Sequence, residues 1–317
     1  AGIYLKSDRT VYRGLRNAFN TAQSSFRRLV ETPDSSEDEE LFEENQQNWQ
    51  QLSEMCWESL TEKSKDIEIY CWWMMSLAFQ NNAIEKISSA MQELPEFIEG
   101  FWPNVHPCLP DDKVKGESEQ EIATERGELQ LRPLVQLVGE SDNSGLLYTP
   151  LQMMALVGDI DHSAYLSANK AGKLGELKAN AQQQFQSVQA NVTSTVLALG
   201  QAIDAIAKLD EWVGKTCSEL SIPMISCRFL KNNFSECLEA IRYLVGDSYA
   251  VWPLDPAPEE TPAAENAQPT SSDPVTDNVS SGQTAQVASA VPAAQGQIVM
   301  SNAGGITRDQ AFHKCAN

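Results

Sequence analysis

From Tyr12 the apolar positions fall at Tyr12, Leu15, Phe19, Ala22, Phe26 and Leu29, alternating steps of three and four, the stripe of an amphipathic helix. The spacing predicts a first helix over residues 10–30. Thr32, Pro33 and Asp34 end it, and the acidic run at 36–40 sits where carboxylates favour the positive end of a second helix, which runs to about Leu60. Residues 64–80 (SKDIEIYCWWMMSLAFQ) are apolar on nearly every side after Glu68, so this helix belongs at the centre of its domain. Over residues 82–101, Ile84, Ile87, Met91, Leu94, Ile98 and Phe101 keep register, Pro95 predicts a kink or break, and the proline-rich stretch 102–110 ends the element.

Residues 121–138 read as a further helix, interrupted or restarted near Pro133, and 139–145 as a turn. The apolar, proline-interrupted stretch 146–157 fits a short strand or a packed extended segment. A second helical region starts near Ser163. The seam from Leu174 to Val213 suits one long helix or a hairpin broken near Gly200, and another helix covers 226–246. From 253 to about 297 the composition turns to Pro, Ala, Ser, Thr, Gln and acidic residues, with no Lys or Arg between Tyr243 and Thr307. That is the signature of a disordered acidic linker. Residues 306–315 (ITRDQAFHKC) then look like the opening of one more helix. The chain begins at Ala1 without Met and stops soon after that opening, which reads as a piece of a longer protein. The expected architecture is all-α: a multi-helix N-terminal domain (1–162), a smaller helical second region (163–252), the linker (253–300) and the start of a truncated C-terminal domain (301–317).

A formal net charge of -21 repels phosphate and argues against nucleic acid or an anionic membrane surface as the main partner. No apolar run approaches the roughly 18 to 20 residues that span a bilayer, and no basic-then-apolar leader opens the chain. Seven cysteines without a CxxC pair, most inside periodic apolar segments, suggest buried thiols in a reducing cytosol.

Material for catalysis is thin. The three histidines, His106, His162 and His313, lie in different segments. His106 stands beside Cys108, but a metal site would need two further ligands that no spacing supplies, so a turn after the helix is the favoured reading. In GDIDH (158–162), Asp159, Asp161 and His162 could hold a cation or act as acid and base; a turn followed by helix capping explains the same residues more simply. Phosphate-loop, dinucleotide, zinc-protease and serine-hydrolase motifs are absent, and nothing calls for a cofactor. Trp49, Trp57, Trp72, Trp73 and Trp102 are mostly core by their spacing, though the set could include an interface anchor. Arg9, Arg13, Arg16, Arg27 and Arg28 concentrate positive charge in the first helix, either for an acidic partner or for pairing with the Glu-rich segment that follows.

Four ordered blocks, 12–33 (YRGLRNAFNTAQSSFRRLVETP), 64–79 (SKDIEIYCWWMMSLAF), 101–115 (FWPNVHPCLPDDKVK) and 137–172 (LVGESDNSGLLYTPLQMMALVGDIDHSAYLSANKAG), resemble the ImpA-type N-terminal domain of the TssA/VasJ family of type VI secretion proteins. The resemblance implies a non-enzymatic cytoplasmic scaffold that joins the baseplate to the growing tail tube and sheath. Expected partners are baseplate, spike, tube and sheath proteins and the inner-membrane complex, without nucleic acid or membrane insertion. The full-length protein would be a homo-oligomer through its C-terminal domain. Sheath-capping variants of the family and a cytosolic effector adaptor are the alternatives. Candidate partner-binding residues are Arg9, Arg13 and Arg16 on the first helix, and Trp102 and His106 in the turn after the fourth.

Overall fold

Asp8 starts the first helix: its carboxylate accepts from the backbone N–H groups of Thr10 and Val11, both at 3.1 Å, satisfying two free donors of α1 (Arg9–Glu31). The structure is a computed structural model that describes residues 1–32 and 39–256. The acidic linker from 257 onward and the terminal segment 301–317 therefore lie outside the described residues.

The stripe of α1 is buried at Leu15, Phe19 and Ala22 against α2 (Glu39–Glu58), which buries Trp49, Leu52 and Cys56 and closes in a five-residue π-turn, Ser59–Lys63. Asp66 caps α3 (Ile67–Leu77), in which every residue except Glu68 and Trp73 is buried. The all-round apolarity of this helix thus places it centrally, with α2, α4 and α5 packed around it. An aromatic ladder joins the first three helices. Phe19 stacks on Trp72 at 4.6 Å and meets Trp49 edge-on at 6.4 Å, Trp49 stacks on Phe79 at 4.2 Å, and Phe26 closes on Phe79 at 4.9 Å.

Neither proline interrupts its helix, so the expected break at Pro95 and the expected interruption or restart at Pro133 are corrected. α4 (Ala83–Phe101) continues through Pro95, and α5 (Glu119–Val138) through Pro133. A proline in a helix interior costs about 3 kcal/mol. Each lies beside a well-buried face that offsets the cost, Met91, Leu94 and Ile98 in α4 and Leu131, Leu134 and Leu137 in α5. A capping box fixes the start of α5: the Ser118 hydroxyl accepts from the Glu121 N–H at 3.2 Å, and the Glu121 carboxylate accepts from the Ser118 N–H at 3.0 Å.

Residues 146–157 are neither a lone strand nor extended throughout. They form α6 (Tyr148–Met153) and then β1 (Ala155–Val157), which pairs antiparallel with β2 (Ile160–Asp161) across a two-residue turn. Pro150 is tolerated because it lies in the first turn of α6, where its missing N–H would have had no helical partner. Gly158 occupies the turn at φ +62°, a region that disfavours other residues.

After α7 (His162–Lys170), α8 (Leu174–Leu220) is a single helix of 47 residues, about 70 Å long, with no break at Gly200. Glycine serves packing there: a Cβ would come within 2.8 Å of the Leu254 side chain, which crosses α8 at that point. The apolar seam of α8 packs against α4 and α9 (Arg228–Val245). By length and composition α8 could cross a membrane, and 50% of its most apolar stretch is buried within the fold, as in the core helix of a globular protein. Residues 1–255 form one compact unit whose core runs from Leu5 to Trp252 and draws on helices from both sides of residue 162.

Candidate interaction surface

Arg9, Arg13 and Arg16 follow one another at steps of four and three, so α1 presents them along one exposed face, opposite the stripe it buries. Among the described residues none of the three makes an ion pair, whereas Arg28 is paired with Glu44 of α2. Among the described residues, α2 thus takes one arginine through Glu44. Thr10, Gly14 and Asn17 line a shallow hollow between Arg9 and Arg13.

The turn after α4 has a different character. Trp102 is half-buried, edge-on to Trp212 of α8 at 5.4 Å. His106 is buried, and both of its ring nitrogens are engaged: Nδ1 accepts from the Cys108 N–H at 3.3 Å, and Nε2 donates to the Gly2 carbonyl at 3.2 Å. Burial pushes the His106 pKa down, in the direction that favours the neutral ring. The Gln130 amide donates to the carbonyls of Pro103 and Val105 at 2.6 and 2.7 Å, and the His106 backbone bridges Lys65 and Ile67 at 2.7 Å on both sides. His106 therefore ties the turn to the N-terminus, and Trp102 packs it against α8.

The GDIDH residues have structural partners. Asp161 caps α7 by accepting from the Ala164 N–H at 2.7 Å. Asp159 accepts at 2.7 Å from the side chain of Gln184, tying the hairpin to α8. His162 is buried, shares a hydrogen bond of 2.8 Å with Gln152 and stacks on Tyr165, and burial lowers its pKa to about 4. Among the described residues no group of three His, Cys, Asp or Glu side chains is arranged to hold a metal ion.

The titratable group that sequence reasoning passed over is Asp66. Its carboxyl is 1% exposed and accepts from the N–H groups of Glu68 at 2.8 Å and Ile69 at 3.4 Å. Burial, then the charge of Glu68, raises its pKa to about 7 against the pull of those donors and of Lys6. An Asp directly before an apolar run is the signal for a cap, and its complete burial is set by packing that spacing does not show.

Residues 1–138 match the family model described as ImpA, N-terminal, type VI secretion system. The chain carries an ImpA-type N-terminal domain. This domain takes in α1 to α5 and ends at Val138, the last residue of α5, so the hairpin and α6 to α9 lie beyond the match. The ImpA-type domain marks the chain as a component of the type VI secretion system. Comparison with curated proteins and with solved structures gave no match.

Proposed function

We propose that the protein is a non-enzymatic assembly component of the type VI secretion system, coordinating the baseplate with the tail tube and sheath on the cytoplasmic side through protein–protein contacts. The observation that carries this reading is the ImpA-type domain over residues 1–138. The exposed face of α1 supplies one contact surface. Three guanidinium groups that form no ion pair among the described residues, on a chain of net charge -21, favour an acidic partner patch and disfavour a basic one. The hydrogen bonds of Asp159, Asp161, His162 and His106 supply structural reasons for those residues that need no chemistry.

The test is affinity capture with the full chain from cells with an active secretion apparatus, beside the variant R9E/R13E/R16E. The expected outcome is retention of baseplate, tube or sheath proteins by the wild type and their loss from the variant. Capture of none of them by the wild type contradicts the proposal.

A further inference from the structure

α2 and α4 flank α3, and between them the surface opens into a groove of about 590 Å³. Trp73 of α3 lies in it half-buried, and Trp57 stands at its α2 side 52% exposed, with ring centroids 5.1 Å apart at 36°. The pair is braced from below: Tyr70 meets Trp73 edge-on at 5.3 Å, packs on Phe97 at 4.8 Å and donates its hydroxyl to the Ala90 carbonyl at 2.9 Å. Two indole faces are thus preformed and partly open to solvent.

The charged residues lining this groove are Glu54 from α2 and Glu85, Lys86 and Glu93 from α4. Lys86 is turned to the Gln80 side-chain oxygen at 2.9 Å, and among the described residues Glu85 and Glu93 form no ion pair. Carboxylates outnumber the ammonium, and indole rings carry negative π faces. Such a lining repels an anionic segment and leaves a purely apolar one facing unpaired carboxylates. A cation meets both features favourably. Arginine fits best, because its planar guanidinium stacks on indole and donates two parallel hydrogen bonds to a carboxylate.

We propose that the Trp57–Trp73 groove is a docking site for a basic segment of a partner protein, with an arginine side chain lying on the indole pair and the carboxylates of Glu85 and Glu93, about two turns apart on α4, lining the groove that receives the segment. This surface is opposite in charge preference to the arginine face of α1, so it recruits a different partner or a different part of one. The assignment rests on the groove itself and stands whichever apparatus protein supplies the segment.

The experiment titrates the full chain with a fluorescein-labelled peptide of alternating glycine and arginine at low salt, read by fluorescence polarisation. Saturable binding is expected, weakened about fivefold by Trp57→Ala, the equivalent of one exposed cation–π contact. Trp57→Phe retains an aromatic face and recovers part of that loss. The double variant E85Q/E93Q also weakens binding, whereas E176Q/E211Q, which removes the same charge from exposed positions on α8, does not. Unchanged affinity of Trp57→Ala, together with E85Q/E93Q behaving no differently from E176Q/E211Q, would assign the binding to net charge alone and overturn the proposal. So would concentration-dependent self-association of the free protein that Trp57→Ala abolishes, because it would assign the groove to a second copy of the chain.

Discussion

Replacing Asp66 by Asn removes one buried ionisation and little else. The remaining amide oxygen can still accept from the Glu68 and Ile69 N–H groups, and Asn equals Asp as a helix cap. In the folded protein the carboxyl titrates near 7, against 3.8 for an ordinary Asp. Three pH units correspond to about 4 kcal/mol of stability that depends on this proton. The folded state holds the proton more tightly than the unfolded chain. The contribution is therefore fully present below pH 3.8, is lost as the pH rises from there to about 7, and is flat above. Between pH 5 and pH 8 the wild type loses about 3 kcal/mol from Asp66 alone. His162 works in the opposite sense, since its pKa is lowered from 6.5 to about 4 and its neutral form gains stability over that window. Both proteins share that term, so it cancels in their difference. Urea unfolding followed by tryptophan fluorescence at the two pH values reads the difference directly. D66N should gain about 3 kcal/mol on the wild type between pH 5 and pH 8. A difference that does not change with pH would show that Asp66 is ionised throughout, and the burial argument would fail.

Three further outcomes are expected. Trp49→Ala should destabilise the protein by about 3–5 kcal/mol in urea unfolding, because it removes a fully buried ring stacked on Phe79 and the indole donor to Asn45; a loss below about 1 kcal/mol would mean that the aromatic ladder is not a core element. Asp161→Ala should cost about 1 kcal/mol as a lost cap while leaving partner capture unchanged; abolished capture in a folded variant would return Asp161 to the functional candidates. Native alkylation with iodoacetamide at pH 8, read by mass spectrometry, should label the half-buried Cys108 before the buried Cys56, Cys71, Cys217, Cys227 and Cys237. Burial pushes the Cys227 and Cys237 thiols up to about 12, and equal labelling of either would contradict their placement in the core.

Much of the helical architecture is legible because its causes are local. The step pattern of α1, the all-round apolarity of α3 and the periodic residues of α9 each follow from a helix presenting a face to a core. Asp161 as a cap is equally local. What escaped the sequence is what distant packing decides. Pro95 and Pro133 carry the correct breaker signal, and burial on both sides of each overrides it. Gly200 looks like a hinge until Leu254, far along the chain, is seen lying over it. The interaction surface divides in the same way. The spacing of Arg9, Arg13 and Arg16 places them together, and their exposure follows because the opposite face is apolar. His106 sits in a proline-rich turn that looks exposed, but the carbonyl that receives its ring proton belongs to Gly2, a contact that periodicity does not reveal. Trp57 falls at the edge of the buried face of α2, where spacing alone does not separate core from surface.

The proposed role has this chain assembling the secretion apparatus through contacts that include the face of α1. Fluorescence microscopy of a tagged sheath protein in cells lacking the chain tests it most directly. Few or no extended sheaths are expected, restored by the wild type and not by a folded R9E/R13E/R16E variant. Sheaths of normal number and length in the cells that lack the protein would contradict it.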